Sequence, residues 1–289
     1  IAIVGTFANV INLVVFTKQG VKDNVNLSLF ALAISDLLSL LLVICTCVLG
    51  HPMFIGTGVH FVGIEVEFLT TGWPHTCFTK VTSWITAFIM FERCLCIATP
   101  LKVKTVVTTA RVKLCLVAIF VLVFAGVVPT YATHSLGWKF YPAYNRTLLG
   151  LIRSENAIHI TYISNMLNIP VSSLSSFGVA FVCTVIITIE LNKKTKWRKE
   201  AACDKGGNLK NFSRNDRRAV KMVTIVAAIF LISVTPSITI LIITVFEIEF
   251  SLTGKYRSLF YVCYSITFIF EGINSSVNIL VYYSMNSRY

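Results

Sequence analysis

The sequence predicts an all-α membrane protein: one seven-transmembrane-helix bundle spanning 1–289, with a short amphipathic eighth helix beginning at the C-terminus. Three observations carry that expectation. Hydrophobic residues make up 55% of the 289 and charged residues only 13%, where soluble domains carry about 25% charged residues. Mean hydropathy is +0.76. Apolar runs of membrane-spanning length recur along the chain, and Lys and Arg concentrate on alternate sides of them.

Taken in order, the runs place helices at about 1–17, 25–49, 74–97, 113–132, 160–190, 219–246 and 258–283. The first is short because the chain opens inside an apolar run, without Met; both ends read as clipped. The third starts in one of two ways. Trp73-Pro74 opens it, with proline at the first helical position, or Pro74 kinks a helix that begins near Phe68. The polar stretch from Asn192 to Arg218 reads as a cytoplasmic loop.

The net charge of +12 invites a nucleic-acid partner, but its distribution argues for a bilayer. Lys18, Lys22, Lys102, Lys104, Arg111, Lys113 and the cluster from Lys193 to Lys221 fall on one set of loops and helix ends. Only Lys139, Arg146, Arg153, Lys255 and Arg257 fall on the other. This is the positive-inside asymmetry, and it puts the N-terminus outside and the C-terminus in the cytoplasm of a multi-pass plasma-membrane protein. Asn145-Arg146-Thr147 is a glycosylation sequon on the side assigned outside. Asn211 and Asn274 open sequons too, but on the cytoplasmic side and inside the membrane. The nine cysteines form neither a CxxC pair nor a metal-ligand spacing, and most lie in spans or at the cytoplasmic face, where thiols stay reduced.

Charge inside the spans is the strongest functional signal. Asp36 sits in the middle of the second span, where an ionised group costs about 2.5–3.5 kcal/mol on insertion scales. Asn9, Asn274 and Asn278 lie in the first and last spans, placed to answer it. In the third span His75, Thr79, Thr82, Thr86, Ile89 and Arg93 recur at spacings of three and four. In the seventh Tyr261, Tyr264, Phe268, Glu271, Ser275, Asn278 and Tyr282 do the same. Polar faces on membrane helices turn into the bundle, because lipid cannot satisfy them. Helix–helix hydrogen bonding explains the hydroxyls; Asp36, Glu271 and Arg93 ask for more. The pattern points to a receptor. A transporter or channel, the alternative, calls for paired broken helices or an inverted repeat, and an enzyme for a nucleophile with its base; neither signature shows.

The ordered motifs resemble those of rhodopsin-like (class A) G-protein-coupled receptors. Glu92-Arg93-Cys94 followed by Pro100-Leu101 resembles that family's Asp-Arg-Tyr motif. Asn26, Leu32, Ala33 and Asp36 match its second helix, and Gly5 with Asn9 its first. Phe230, Ser233 and Pro236 resemble its sixth, with Val234 in place of Trp. Asn274 to Tyr282 resembles the seventh-helix Asn-Pro-x-x-Tyr region, with Ile279 in place of Pro. The stretches Gly72 to Phe78 and Ser83 to Ile97 look like divergent receptors expanded in molluscs, often called chemosensory. The departures are informative. Phe68 falls near the family's helix-three cysteine, and residues 133–165 contain no cysteine, so the usual link to the second outer loop is absent. Val234 removes the sixth-helix rotamer switch, a role Phe230 would share.

The resemblance implies a two-state bundle that binds an extracellular ligand, a small chemosensory molecule or a peptide, and activates a heterotrimeric G protein through rearrangement of helices three, five and six. It gives Arg93 the coupling role, with Glu92 and Asp216 restraining it and Tyr282 taking part in the switch. His75, Thr79, Lys80, Asn168, Ser172, Tyr261, Tyr264, Phe268 and Glu271 are the expected ligand pocket. Within it Lys80 and Glu271 either pair with each other or serve a zwitterion or peptide terminus. The seventh span has no lysine for retinal, so no cofactor is required. Asp36, Thr82, Asn274 and Asn278 offer oxygens around one carboxylate, a set suited to Na+ as an allosteric ion; the alternative is a protonated Asp36 in a wet polar network.

Overall fold

The computed structural model describes residues 1–20, 23–51, 58–99, 103, 105–155, 157, 160, 171–190, 193, 212–247, 249–250 and 254–285. Over these residues the chain is mostly helical. Helices α1 (Ala2–Gln19), α2 (Asn24–Leu49) and α3 (Gly63–Glu67) come first. A π-helical turn (Phe68–Gly72) then leads without a break into α4 (Trp73–Ala98). Next are α5 (Thr109–Ala125), the short α6 (Val128–Thr133), strands β1 (His134–Tyr141) and β2 (Arg146–Arg153), α7 (Val171–Glu190), α8 (Phe212–Phe246) and α9 (Arg257–Met285). Among the described residues six helical stretches are long and apolar enough to cross a membrane: α1, α2, α3 through α4, α5 with α6, α7, and α8.

Pro74 explains the third stretch. It is not the start of the helical stretch. The helix begins earlier, at Gly63, and widens into the π turn just before the proline. A proline ring clashes with the carbonyl four residues back and has no N–H to offer it. A π turn, bonding five residues apart, relaxes that geometry at the cost of one extra residue. That extra residue also rotates the helical face by about 100°. Other boundaries move less. The fourth helix starts at Thr109 rather than near 113, behind Thr108, whose hydroxyl accepts from the Arg111 amide at 3.5 Å. The sixth begins at Phe212, a further two turns into the basic segment. The expected eighth helix falls on 286–289, outside the described residues.

The all-α expectation needs one correction. Residues 134–153 form an antiparallel hairpin, with His134 opposite Arg153 and Tyr141 opposite Arg146. A 3-10 turn, Pro142–Tyr144, closes it, and Asn145 takes the left-handed conformation, φ 48°, that asparagine tolerates better than most residues. The hairpin lies over one end of the bundle. Leu151 packs with Leu69, Trp73, Cys77 and Val127. Residues 60–62 run alongside β2, bonded through Val62 N to Leu149 O (2.9 Å) and Leu149 N to His60 O (2.8 Å).

A single carboxylate oxygen clamps this hairpin to α3. Glu65 Oε2 accepts from Lys139 Nζ at 2.8 Å, Tyr141 Oη at 2.6 Å and the Leu151 amide at 2.6 Å. Those hydrogen bonds, led by Glu65, raise the Lys139 ammonium above its ordinary range. Tyr131 Oη adds a bond to Leu69 O at 2.7 Å. Gly150 is required here, because a Cβ would collide with the Tyr141 hydroxyl and Glu65. The main core lies deeper, where Phe16, Leu32, Ile85, Met90, Val112, Ile187 and Phe230 are almost fully buried. Leu114, Val121, Leu122, Ile232 and other large apolar residues stay exposed on outward faces, the surface a bilayer would cover.

Glu65→Ala should release the hairpin from the bundle. A hydrogen bond to a charged group contributes about 1.5–3 kcal/mol, so hydrogen exchange of the 146–153 amides should accelerate roughly tenfold or more. Dithiothreitol should leave wild-type exchange unchanged. Unaltered exchange in Glu65→Ala would show that the apolar contacts alone hold the hairpin.

Candidate functional site

Three polar clusters lie along the inward face of α4. Nearest the hairpin, His75 is buried and joins three helices. Its Nδ1 lies 3.1 Å from both the hydroxyl and the carbonyl of Ser39 on α2. Its Nε2 lies 3.6 Å from Glu271 Oε2 on α9. Glu271 Oε1 in turn accepts from Ser237 Oγ on α8 at 3.2 Å. One histidine–carboxylate contact therefore touches α2, α4, α8 and α9. Thr79 sits within 3.4 Å of Ser39. An aromatic ladder, Phe260–Tyr264–Phe268, climbs α9 from this point, with the Phe268 ring 5.3 Å from His75. Tyr261 and Tyr264 are exposed at its open end.

Asp36 forms the middle cluster and is fully buried. Its Oδ1 accepts from Thr82 Oγ1 at 2.9 Å and Ser275 Oγ at 3.0 Å, and its Oδ2 from Asn278 Nδ2 at 2.9 Å. Ser35 extends the network, 2.9 Å from the Thr82 hydroxyl and bonded to Phe78 O. Asn9 supports it from α1, donating to Ser275 O at 2.8 Å and Gly5 O at 3.0 Å. Gly5 keeps α1 close enough for this, since a Cβ there would strike the Ser276 hydroxyl and Leu40. Asn274 is half-buried beside Ser275, and Ser275 is the residue bonded to the carboxylate. Its place on the 271–275–278 stripe was the available signal.

The third cluster lies at the far end of α4. Glu92 is buried and turns to α2, where Ser28 Oγ donates to its Oε2 at 3.2 Å. Glu92 Oε1 and Arg93 Nε are both buried without a hydrogen-bond partner. Among the described residues no carboxylate comes within ion-pairing distance of Arg93, Glu92 included. Asp216 and Tyr282 lie on α8 and α9, but their side chains fall outside the described set, as does Asn168.

Two expected pocket residues leave this seam. Lys80 and Ser172 line a cavity of about 510 Å³ between α4, α5 and α7. Lys80 lies on the side of α4 opposite His75, so it does not meet Glu271, whose partners are His75 and Ser237. The Trp84 indole spans the same region, donating to Ser172 Oγ at 3.1 Å.

A membrane-embedded helical chain with a buried acidic centre and a polar seam down its third helix is what a seven-span receptor requires. The sequence profile of the 7 transmembrane receptor (rhodopsin family) matches residues 8–282, and the chain belongs to that family. It is a G-protein-coupled receptor and not an enzyme. Neuromedin-U receptor 2 of Homo sapiens is 25% identical over 291 residues, covering all of this chain and 68% of that protein.

Proposed function

We propose that this receptor faces its hairpin end outward, binds an extracellular ligand between the third and seventh helices, and drives nucleotide exchange on a heterotrimeric G protein at the Arg93 end. In this reading α9 is the seventh crossing, and the short eighth helix follows it along the cytoplasmic face. The ligand is a small chemosensory molecule or a peptide. It enters past Tyr261 over the Phe260–Tyr264–Phe268 ladder and meets Thr79, His75 and Glu271. Orientation rests on charge asymmetry and on Asn145, exposed at the hairpin tip, where a glycan fits without disturbing the strands. Expressed in a eukaryotic cell, the receptor should lose its glycosidase-sensitive mobility shift on Asn145→Gln. Modification at Asn211 instead would invert the topology.

The observation that carries the coupling role is the orphaned Arg93 Nε. Buried polar atoms are nearly always paired, so an unpaired one asks for an explanation. A guanidinium keeps its charge while exchanging partners among carboxylates and carbonyls, which suits a group satisfied in turn by the bundle and by a docked partner. Arg93→Ala should reach the surface and bind an agonist found by screening, because that pocket lies roughly 25 Å away by helix rise. It should not stimulate exchange on added G protein. Full stimulation by a well-expressed Arg93→Ala receptor would sink this mechanism.

Sodium fits the middle cluster. One carboxylate with the hydroxyls of Thr82 and Ser275 and the side-chain carbonyls of Asn278 and Asn274 offers hard oxygen donors only. The Asn278 amide would turn its oxygen, rather than its NH2, toward the ion. With one carboxylate tying α2 to α4 and α9, an added cation would favour the compact resting bundle. Sodium chloride, compared with choline chloride at equal ionic strength, should lower basal exchange in the wild type. Asp36→Asn should abolish the difference; a response retained in that variant would remove Asp36 as the sodium ligand.

A further inference from the structure

The cavity that holds Lys80 is not part of the seam through the bundle. It is lined by α4, α5 and α7, and its walls include residues exposed on the outer surface, such as Leu122 and Val171. In a membrane protein such a mouth opens sideways, into the hydrocarbon. Its volume, about 510 Å³, lies within the usual range for small-molecule sites.

Its chemistry is graded along the membrane normal. Lys80, Trp84, Phe88 and Phe91 follow one another on one face of α4, and the span from Lys80 to Phe91 covers about 16 Å of helix rise. Ser172 pairs with Trp84, which sets α7 alongside α4 with Ser172 one turn from Lys80 and Val179 near Phe91; Ser175 lies a turn further toward Phe88, its hydroxyl donating to the Val171 carbonyl. One end therefore carries an ammonium and the Ser172 hydroxyl, and the other is apolar.

Lys80 has no counter-charge. It is half-buried, and no carboxylate among the described residues lies within ion-pairing distance. The stretch 161–170 leading into α7 contains neither Asp nor Glu. An ammonium held in low dielectric is stabilised by an anion, and a bound ligand can bring one here.

We infer that this cavity takes a single-chain acidic amphiphile from the bilayer, its carboxylate on Lys80 with Ser172, and its acyl chain along Trp84, Phe88 and Phe91. The walls match that ligand in order: charge against charge, the Ser172 hydroxyl on a remaining carboxylate lone pair, and aromatic faces on the methylenes. The site is separate from the proposed agonist seam and needs no G protein for its test.

Trp84 reports occupancy directly. The receptor is reconstituted in phosphatidylcholine nanodiscs at pH 8 and titrated with 9,10-dibromostearic acid or its methyl ester, bromine being a contact quencher of indole fluorescence. The acid should quench saturably, at a mole fraction about tenfold or more below that of the ester. Trp84→Phe should remove the saturable component, which assigns it to this site. Lys80→Met should shift the acid to the ester's concentration range, and Lys80→Arg should restore it. Ala118→Phe, which fills the cavity from α5, should abolish saturable quenching while leaving Lys80 in place. Equal quenching by acid and ester in the wild type would overturn the proposal, leaving unselective lipid partitioning, and so would a Lys80→Met titration indistinguishable from wild type.

Discussion

A carboxylate in the middle of a membrane helix cannot be left to itself, and Asp36 sets the terms for its neighbours. Lipid offers it no donor, so donors must come from other helices. Thr82 and Ser275–Asn278 supply them from α4 and α9, which requires both helices to lie against α2 at one depth and one rotation. Asn9 then locks α1 through the Ser275 carbonyl, and Gly5 lets the two backbones approach. Individual interhelical hydrogen bonds in membranes are modest, averaging about 0.6 kcal/mol. Their value here is selectivity. A rotation of α9 by one residue would turn Ser275 and Asn278 away and leave the carboxylate with the Thr82 hydroxyl alone of these three donors.

The hairpin solves a related problem by other means. Receptors resembling this one usually tie the second outer loop to the third helix with a disulfide, but residues 133–165 contain no cysteine. The same attachment is made by a polar clamp on Glu65 and by Leu151 in the apolar cluster with Leu69 and Trp73. The π turn before Pro74 makes both attachments possible. By rotating the helical face it lets Glu65 and Leu69 address the hairpin while His75, one turn below, addresses α2 and α9. A covalent link is thereby replaced by one that is reversible and insensitive to reduction.

What could be read from the sequence depended on period and charge. Asp36 stood out because ionisable residues are scarce in apolar runs, and the stripes at three and four identified Thr82, Glu271, Ser275 and Asn278 as inward-facing. Where the family resemblance and the stripe disagreed, at Asn274 against Ser275, the hydrogen bond to Asp36 follows the stripe. The same arithmetic separates Thr79 from Lys80: at about 100° per residue Lys80 turns away from His75, and adjacency in sequence had hidden that. The hairpin is not legible in the sequence because its strands alternate only partly and each carries a mid-strand glycine, Gly137 opposite Gly150, which reads as loop. The π turn was missed because no local pattern announces it; it arises from the conflict between Pro74 and a helix whose upstream turn is needed by the hairpin.

The third helix thus serves two solvents at once. Its inward face, from His75 through Thr82 to Glu92, is polar because the seam must hold protons, hydroxyls and carboxylates in fixed relation. Its opposite face, from Lys80 through Trp84 to Phe91, is apolar except at the single ammonium. A charge on the seam face is answered by neighbouring helices. A charge on the outer face has no helix beyond it to answer, so Lys80 must either reach water or find an anion in the bilayer. With α5 and α7 flanking it and the aromatic residues below, the second arrangement is the one the surrounding walls accommodate.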